Sequence, residues 1–232
     1  VELCLANADI TGGAGLSFAA TRFPGGGDIS FRRASFRGSS RISFSEAKIG
    51  GESAVSFESA LFDGPVEFSF DHAVFQGGAG VSWSGVVFAD RSRLSFLEAR
   101  FERGELSVHS AEFHGDSEIR LTGATFGDES VLSFGETDTE TGSLRVEMVD
   151  LNLPETEFTG TELTDSIFSR SAFTDVDLTD ADLSKANLSE TDLSDQTLKG
   201  TDLSGARLRD ADLSGATLRG CTLSDADAAY AD

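Results

Sequence analysis

The chain has 232 residues, and its 40 Asp and Glu residues outnumber 18 Lys and Arg residues to give a formal net charge of −22. A chain this acidic repels nucleic acid and anionic lipid, so neither is expected as a direct partner. Its hydrophobic content of 39% is sufficient for a core and excludes wholesale disorder. Aspartate excess with lysine scarcity resembles proteins of salt-loving archaea, and plain solubility is the alternative explanation of the charge.

The N-terminal part repeats every thirteen residues, in a unit that reads (L/I/V)-S-F-x-x-A-x-F-x-G-x-x-x. One column of large side chains contains Phe18, Phe31, Phe44, Phe57, Phe70, Trp83 and Phe96. A second column, five residues further on, contains Phe23, Phe36, Ile49, Phe62, Phe75, Phe88 and Phe101. The pattern continues with two twelve-residue steps as far as Leu151, and such regularity indicates a repeat architecture.

The C-terminal part repeats every five residues, with a large apolar residue at the centre of each unit. This column contains Phe158, Leu163, Phe168, Phe173, Leu178, Leu183, Leu188, Leu193, Leu198, Leu203, Leu208, Leu213, Leu218 and Leu223. A small residue usually stands two positions earlier, with Asp or Asn between the two. Five residues advance an α-helix by about 140° beyond a full turn, so this column cannot form a helix face.

Both periods fit a square coil in which two inward residues flank one outward residue and the chain then turns a corner. Four such sides close a coil of twenty residues, and coils stack about 4.8 Å apart through parallel backbone pairing. Two thirteen-residue units make a coil of about 26 residues with two tight and two long corners. A coil of thirteen residues is the competing model, but its lumen is too narrow for two Phe rings. We therefore predict one solenoid of about ten coils.

The predicted solenoid has two sections joined by a short change of period. Residues 1–151 form a section of thirteen-residue, Phe-centred repeats, and residues 158–232 form a section of regular five-residue repeats. The period changes across residues 152–157, around Pro154. Because the repeats begin almost at Val1 and reach the last residues, we expect the chain to be a segment of a longer protein, with end-to-end association between copies as the alternative.

The runs ADLSK-ANLSE-TDLSD at 181–195 and TDLSG-ARLRD-ADLSG-ATLRG-CTLSD at 201–225 resemble the A(D/N)Lxx motif of the pentapeptide-repeat family. The Phe-centred units resemble variants of the same family. The resemblance implies an all-β fold, the right-handed quadrilateral parallel β-helix. It also implies that the chain acts through binding: some members mimic DNA and bind type II topoisomerases such as DNA gyrase, and others are spacers or docking surfaces.

Four outward aspartates are the candidate partner-binding residues of the C-terminal section. The twenty-residue coil places Asp182 under Asp202 and Asp192 under Asp212. The functional hypothesis is an acidic ladder that mimics phosphates or holds a cation, and the alternative is a solvated repeat position. Arg207, Arg209 and Arg219 interrupt this ladder.

No motif in the chain indicates catalysis, a metal or a cofactor, so we predict none of these. The three histidines, His72, His109 and His114, fall in corners or just after a core Phe, where they are expected to point outward and be solvated. His109 and His114 are close in sequence but lie on adjacent corners, and no Cys or third His completes a zinc site with them. A column of serines is explained by an outer face and includes Ser17, Ser30, Ser43, Ser56, Ser69, Ser82, Ser95 and Ser107. No nucleophile elbow, phosphate-binding loop or HExxH motif is present.

Two further features could mark a partner surface. One is a basic cluster of Arg22, Arg32, Arg33, Arg37 and Arg41, followed by a second of Arg91, Arg93, Arg100 and Arg103, for which local pairing with acids is the alternative explanation. The other is a set of outward apolar residues, in which Leu61 and Val87 share a face and Val74 lies opposite.

Cellular context follows from the cysteines and the hydrophobic runs. Cys4 and Cys221 lie too far apart in a solenoid for a disulfide, which favours an intracellular, cytoplasmic protein. No run of eighteen apolar residues predicts a membrane span. The sequence thus predicts a non-enzymatic solenoid that serves as a scaffold or protein-interaction module with unidentified protein partners. The alternative is a DNA-mimicking modulator of a type II topoisomerase.

Overall fold

The computed structural model describes residues 3–25, 27–89, 91–127, 130–135, 137–141, 143–153, 156–173 and 176–232. Within these residues the chain is a parallel β-solenoid without helices, which confirms the predicted fold class. Consequently no helix in the described ranges is long and apolar enough to cross a bilayer.

The strands stack into four faces, numbered here in the order in which the chain visits them. Face 1 contains Leu3–Cys4, Ile29–Ser30, Ala54–Ser56, Gly80–Ser82, Glu105–Ser107, Val131–Ser133, Thr156–Glu157 and Val176–Asp177. Face 2 contains Asp9–Ile10, Ser35–Phe36, Leu61–Phe62, Val87–Phe88, Glu112–His114 and Asp138–Thr141. Face 3 contains Gly15–Ser17, Ser40–Ser43, Val66–Ser69, Arg93–Ser95, Ser117–Arg120 and Leu144–Glu147. Face 4 contains Arg22–Phe23, Lys48–Ile49, Val74–Phe75, Arg100–Phe101 and Thr125–Phe126, followed by the pair Asn152–Leu153 and Ala172–Phe173.

The strand register gives the length of each coil directly. Leu3 pairs with Ile29, 26 residues later, which confirms the coil of two thirteen-residue units and excludes the thirteen-residue coil. The spacing falls to 20 where Glu147 pairs with Ile167, and it stays at 20 as far as the pair of Arg207 with Asp227. Pro154, around which the sequence places the change of period, lies outside the described residues.

Tight corners share one backbone conformation in both sections. The second corner residue lies in the left-handed region, with φ of 55° at Arg33, 60° at Glu46 and 59° at Lys185. The N–H of the residue after the corner donates to a carbonyl three residues earlier, as from Ala34 to Phe31 at 3.0 Å. This conformation favours Gly, Asp and Asn, which explains why those residues recur in the fifth position of the pentads.

Stacked aromatic rings fill the coils of the N-terminal section. Phe31 lies on Phe57 with ring centroids 4.7 Å apart and planes 1° from parallel, and Phe75 lies on Phe101 at 4.3 Å and 3°. Equivalent residues of successive coils are in register, so each ring meets its counterpart at the spacing of paired strands. Buried leucines replace the rings further along, in a column that includes Leu163, Leu183 and Leu203.

Small inward positions in the C-terminal section accept Thr as well as Ala, although they are buried. The hydroxyl of Thr201 donates to the carbonyl of Leu178 at 2.8 Å, and that of Thr191 donates to the carbonyl of Phe168 at 3.1 Å. A buried hydroxyl needs a partner, and the carbonyl from the preceding coil provides it. The repeat can therefore alternate Ala and Thr at this position without an unsatisfied polar group.

Candidate binding surfaces

The four candidate aspartates lie in two stacked pairs on opposite sides of the solenoid. Asp182 bridges Asp202 in the column that continues face 2, and Asp192 bridges Asp212 in the column that continues face 4. The twenty-residue spacing therefore places each pair as the sequence predicts. It does not bring all four carboxylates together, because residues ten apart differ by two sides of the square.

Each of these aspartates forms a hydrogen bond with its own corner. Oδ1 accepts the N–H of the serine two residues later, at 2.8 Å for Asp182, 3.0 Å for Asp192, 2.9 Å for Asp202 and 2.9 Å for Asp212. Asn187 does the same for Ser189 at 3.2 Å, so the position requires an acceptor oxygen and not a charge. The outward Asp or Asn of the motif thus has a structural role in the turn.

These bonds also keep two of the carboxylates ionised. The hydroxyl and N–H of Ser204 lower the pKa of Asp202 below its usual value, and Ser214 lowers the pKa of Asp212 in the same way. Hydrogen bonds to the charged form are the cause, since they stabilise the carboxylate relative to the acid. Asp202 and Asp212 therefore stay ionised to a lower pH than an aspartate without these hydrogen bonds.

The arginines of the first predicted cluster do not form one surface. Arg22 lies on face 4, Arg41 on face 3 and Arg37 beside face 2, because the coil turns between them. Most pair with an acid one coil away, as the local-pairing alternative predicts: Arg41 binds Glu67 at 2.6 Å and Arg37 binds Asp9 at 3.0 Å. An alternating column on face 3 results, with Arg41, Glu67, Arg93, Glu118 and Arg145 stacked in order.

The predicted serine column is divided between two faces. Face 1 carries Ser30, Ser56, Ser82, Ser107 and Ser133, and face 3 carries Ser17, Ser43, Ser69 and Ser95. Their hydroxyls bond to one another and to acids: Ser45 lies 2.7 Å from Ser69, and Ser95 donates to Asp71 at 2.5 Å. These serines link neighbouring coils and are not arranged as nucleophiles beside a base.

The histidines are separated from one another and differ in exposure. His72 is exposed and lies 3.4 Å from Glu98, whereas His109 and His114 are half-buried rather than solvated as predicted. His114 is the last residue of the face 2 strand Glu112–His114, directly after buried Phe113, whereas His72 lies in a corner. Within the described ranges, no group of three His, Cys, Asp or Glu residues is placed to hold a metal ion.

Two shallow grooves follow the long corner between faces 2 and 3. The larger has a volume of about 370 Å³, and the smaller about 250 Å³. Pro65 and Glu67 line both, together with Arg41 in the larger groove and Arg93 and Asp116 in the smaller. Small and charged residues form their walls, unlike the apolar, enclosed pockets that bind small molecules.

Outward apolar residues lie where the sequence predicts. Leu61, with 43% of its surface exposed, stacks on half-buried Val87 in face 2. Val74 lies on face 4, on the opposite side of the coil.

A family model recognises one part of the chain. That part contains the five-residue register, left-handed corners and the aspartates that accept hydrogen bonds from their own corners. The model for pentapeptide repeats matches residues 150–180, 177–215, 186–225 and 206–232, with eight copies of the motif. This section, about a third of the chain, is similar to pentapeptide repeats.

Solved structures of other proteins resemble the chain at low identity. One is HetL, a pentapeptide-repeat protein involved in heterocyst differentiation regulation from the cyanobacterium Nostoc, at 18% identity over 89% of this chain and 87% of that one, with a TM-score of 0.27. Another is full-length QnrB1, a plasmid-mediated fluoroquinolone resistance protein, at 13% identity over 95% and 94% of the two chains, with a TM-score of 0.34. No curated protein matches the sequence.

The stacked coils of the N-terminal section also reveal a column that the thirteen-residue pattern hides. Arg22, Lys48, Val74 and Arg100 occupy successive outward positions on face 4. Grouping the outward residues of the sequence at intervals of 26 would have identified this column and separated its arginines from those on other faces. Within the described ranges, none of the three cations in this column forms an ion pair.

Proposed function

We propose that this chain is a non-enzymatic β-solenoid that acts as a scaffold or protein–protein interaction module in the cytoplasm, with face 2 as its partner surface. The observation that carries the proposal is the outward column of face 2, where Leu61 and Val87 follow one another. In the described part of the chain, no other outward column presents large apolar residues in two consecutive coils.

The surroundings of this apolar pair indicate the chemistry of the partner. Asp9 and Ser35 precede Leu61 in the column, and Glu112 follows Val87. Further along the same face, Glu162, Asp182 and Asp202 continue it. A flat apolar centre between acidic ends fits a protein with an apolar contact and basic residues around it.

The charge distribution supports a scaffold more than a DNA mimic. The C-terminal aspartates lie on opposite faces, and each is held by a serine of its own turn. Arg207 occupies an outward position between Asn187 and Asp227, so the acidity of a third face is interrupted. A DNA-like surface needs a continuous double row of negative charges, which these columns do not form.

A binding measurement with a matched control tests the proposal. The partner is first identified by photo-crosslinking from a probe placed at Ser35, and its affinity for the purified full chain is then measured by calorimetry. The double variant Leu61→Arg/Val87→Arg should weaken binding at least about tenfold, because it places two cations in the apolar contact. The control Thr197→Arg/Thr217→Arg changes two stacked outward residues on face 1 and should leave the affinity within about twofold.

Two outcomes would overturn this assignment. Equal affinity of both double variants would remove face 2 as the partner surface. Inhibition or protection of gyrase supercoiling by micromolar protein would instead support the DNA-mimicking alternative, and charge-neutral variants of the aspartates would then abolish that effect.

A further inference from the structure

The outward column of face 4 changes sign along the solenoid. Its successive members are Arg22, Lys48, Val74, Arg100, Thr125, Asn152, Ala172, Asp192, Asp212 and Asp232. Backbone pairing sets every step except that from Thr125 to Asn152, where the two strands are in contact. One end of the column is basic, the middle is neutral, and the other end is acidic.

The charges of the basic end are not neutralised by ion pairs in the described residues, a property they share with Arg33, Lys185, Lys199, Arg207 and Arg219. Elsewhere in the described residues, arginines such as Arg41 and Arg170 bind acids one coil away, at 2.6 Å in both cases. No ion pair or side-chain hydrogen bond is formed by Arg22, Lys48 or Arg100 in the same part of the chain. Lys48 is also one of only three lysines in a chain with a net charge of −22. Stacking Arg22 next to Lys48 without an acid raises the electrostatic energy of the isolated chain.

When one copy of this column is reversed and laid against another copy, the residues that face each other are complementary. Reversing the column about Thr125 places Arg22 opposite Asp212 and Lys48 opposite Asp192, and Asp232 extends beyond the overlap. The same reversal places Val74 opposite Ala172. It also places Arg100 opposite Asn152, whose amide oxygen can accept a hydrogen bond. Both halves have the rise of stacked strands, about 4.8 Å, so these matches recur in step along the face.

We propose that two copies of this chain pair face to face through face 4, antiparallel to each other, around a twofold axis at Thr125. Such an interface is isologous and closes on itself, so it gives a dimer and not a fibre. Packed sheets lie about 10 Å apart, which long Arg and Lys side chains can span to reach an Asp of the other copy. This pairing uses the side of the solenoid, in contrast to association through its ends, and leaves face 2 free.

The size of the face sets the strength of the pairing. Nine overlapping strands at 4.8 Å give a strip about 40 Å long and one strand wide, which is roughly 400 Å² per copy. An interface of this area belongs to the weak, reversible class. The corners beside the column add like charges at the rim of this interface, since Glu46 of one copy would face Glu190 of the other. Glu98 would face Asp150, but these acids already bind His72 and Arg170 within their own chain. We therefore expect a dimer that forms in a concentration-dependent manner and weakens as salt increases.

Sedimentation velocity of the full chain tests the pairing with variants that reverse one charge and with combinations that restore opposite charges. All variants are compared at one salt concentration at which each of them is folded. The wild type should show a monomer–dimer equilibrium. Lys48→Asp alone and Asp192→Lys alone should each weaken the dimer at least about tenfold, because each creates two like-charge contacts per dimer. Mixing the two single variants should restore association as a heterodimer, and the double variant should restore the homodimer.

The control variant separates loss of pairing from loss of the turn. Asp182→Lys removes the equivalent hydrogen bond to a serine N–H, but on face 2. It should leave the dimer constant within about twofold. The proposal is overturned if the wild type stays monomeric up to about 100 µM, if mixing the single variants fails to restore association, or if Asp182→Lys weakens association as much as Asp192→Lys does.

Discussion

Oδ1 of Asp202 accepts two hydrogen bonds from Ser204, one from the backbone N–H at 2.9 Å and one from the hydroxyl at 2.6 Å. The same carboxylate stacks on Asp182 of the preceding coil. The residue thus stabilises its own corner while it adds to a column of like charges. Its effect on stability depends on pH and on salt, and both dependences can be measured.

Replacing Asp202 by Asn should reduce the loss of stability in acid. The folded-state pKa of Asp202 is lowered, so its contribution is present above the unfolded value of about 3.9 and is lost as pH falls through the folded pKa. Asn keeps the acceptor oxygen, as Asn187 shows, and does not titrate. We expect Tm at pH 7 to change little and its decrease below about pH 4 to become shallower. Identical acid curves for the two proteins would contradict the assignment of the pKa shift.

Asp202→Ala serves as the control for the acceptor itself. Ala removes both hydrogen bonds from the corner, so we expect a loss of about 1 kcal/mol at pH 7. A loss as small as that of Asp202→Asn would show that the turn does not need the side-chain oxygen.

Salt should stabilise the protein because stacked acids repel across coils. The net charge is −22, and both Asp182–Asp202 and Asp192–Asp212 lie one strand spacing apart. Molar salt shortens the screening length to about 3 Å, which weakens this repulsion. We expect Tm to rise from 0.1 M to 2 M KCl, and to rise less in the double variant Asp202→Asn/Asp212→Asn. Equal stability at both salt concentrations would contradict the proposed adaptation to high salt.

Gly104→Ala should destabilise the N-terminal section more than other glycine substitutions. A Cβ at Gly104 would lie 1.9 Å from the carbonyl oxygen of Ala79 in the preceding coil, which no rotamer change can relieve. We expect a loss of about 1–3 kcal/mol in denaturant unfolding, the range for overpacked sites. Gly15→Ala is the matched control, because a Cβ there meets nothing within 4 Å and φ is not in the left-handed region. A similar loss in both variants would refute the close approach.

Trp83→Phe should be tolerated although the residue is fully buried. The indole lies among Phe57, Phe70 and Phe96 with centroids 5.6 to 5.8 Å away, and its Nε1 has no hydrogen-bond partner. Phe restores the residue typical of the column and removes a buried donor, and this offsets the smaller ring. We expect unfolding free energy, followed by circular dichroism, to change by less than about 1 kcal/mol, against about 3–5 kcal/mol for Trp83→Ala. A large loss for Phe would indicate an essential contact of the indole.

Local patterns were enough to predict much of the solenoid. Inward positions follow from residue size, so the buried state of Ile29 and Phe31 around outward Ser30 agrees with the repeat. The stacking of Asp182 on Asp202 follows from the constant spacing of twenty. The half-buried state of His109 and His114 was not predicted, because it depends on the side chains that surround each histidine in the stacked coils.

By itself, the sequence determined the solenoid, its coil of 26 residues and the side of the backbone on which each residue lies, because these depend on spacing within one or two repeats. Only the tertiary structure decided which residues share a face over many coils. The coil length changes from 26 to 20 along the chain, and every corner that gains or loses a residue shifts all later positions. For that reason, Arg22 and Lys48 could not be placed on the face of Asp192 and Asp212 until the coils were stacked.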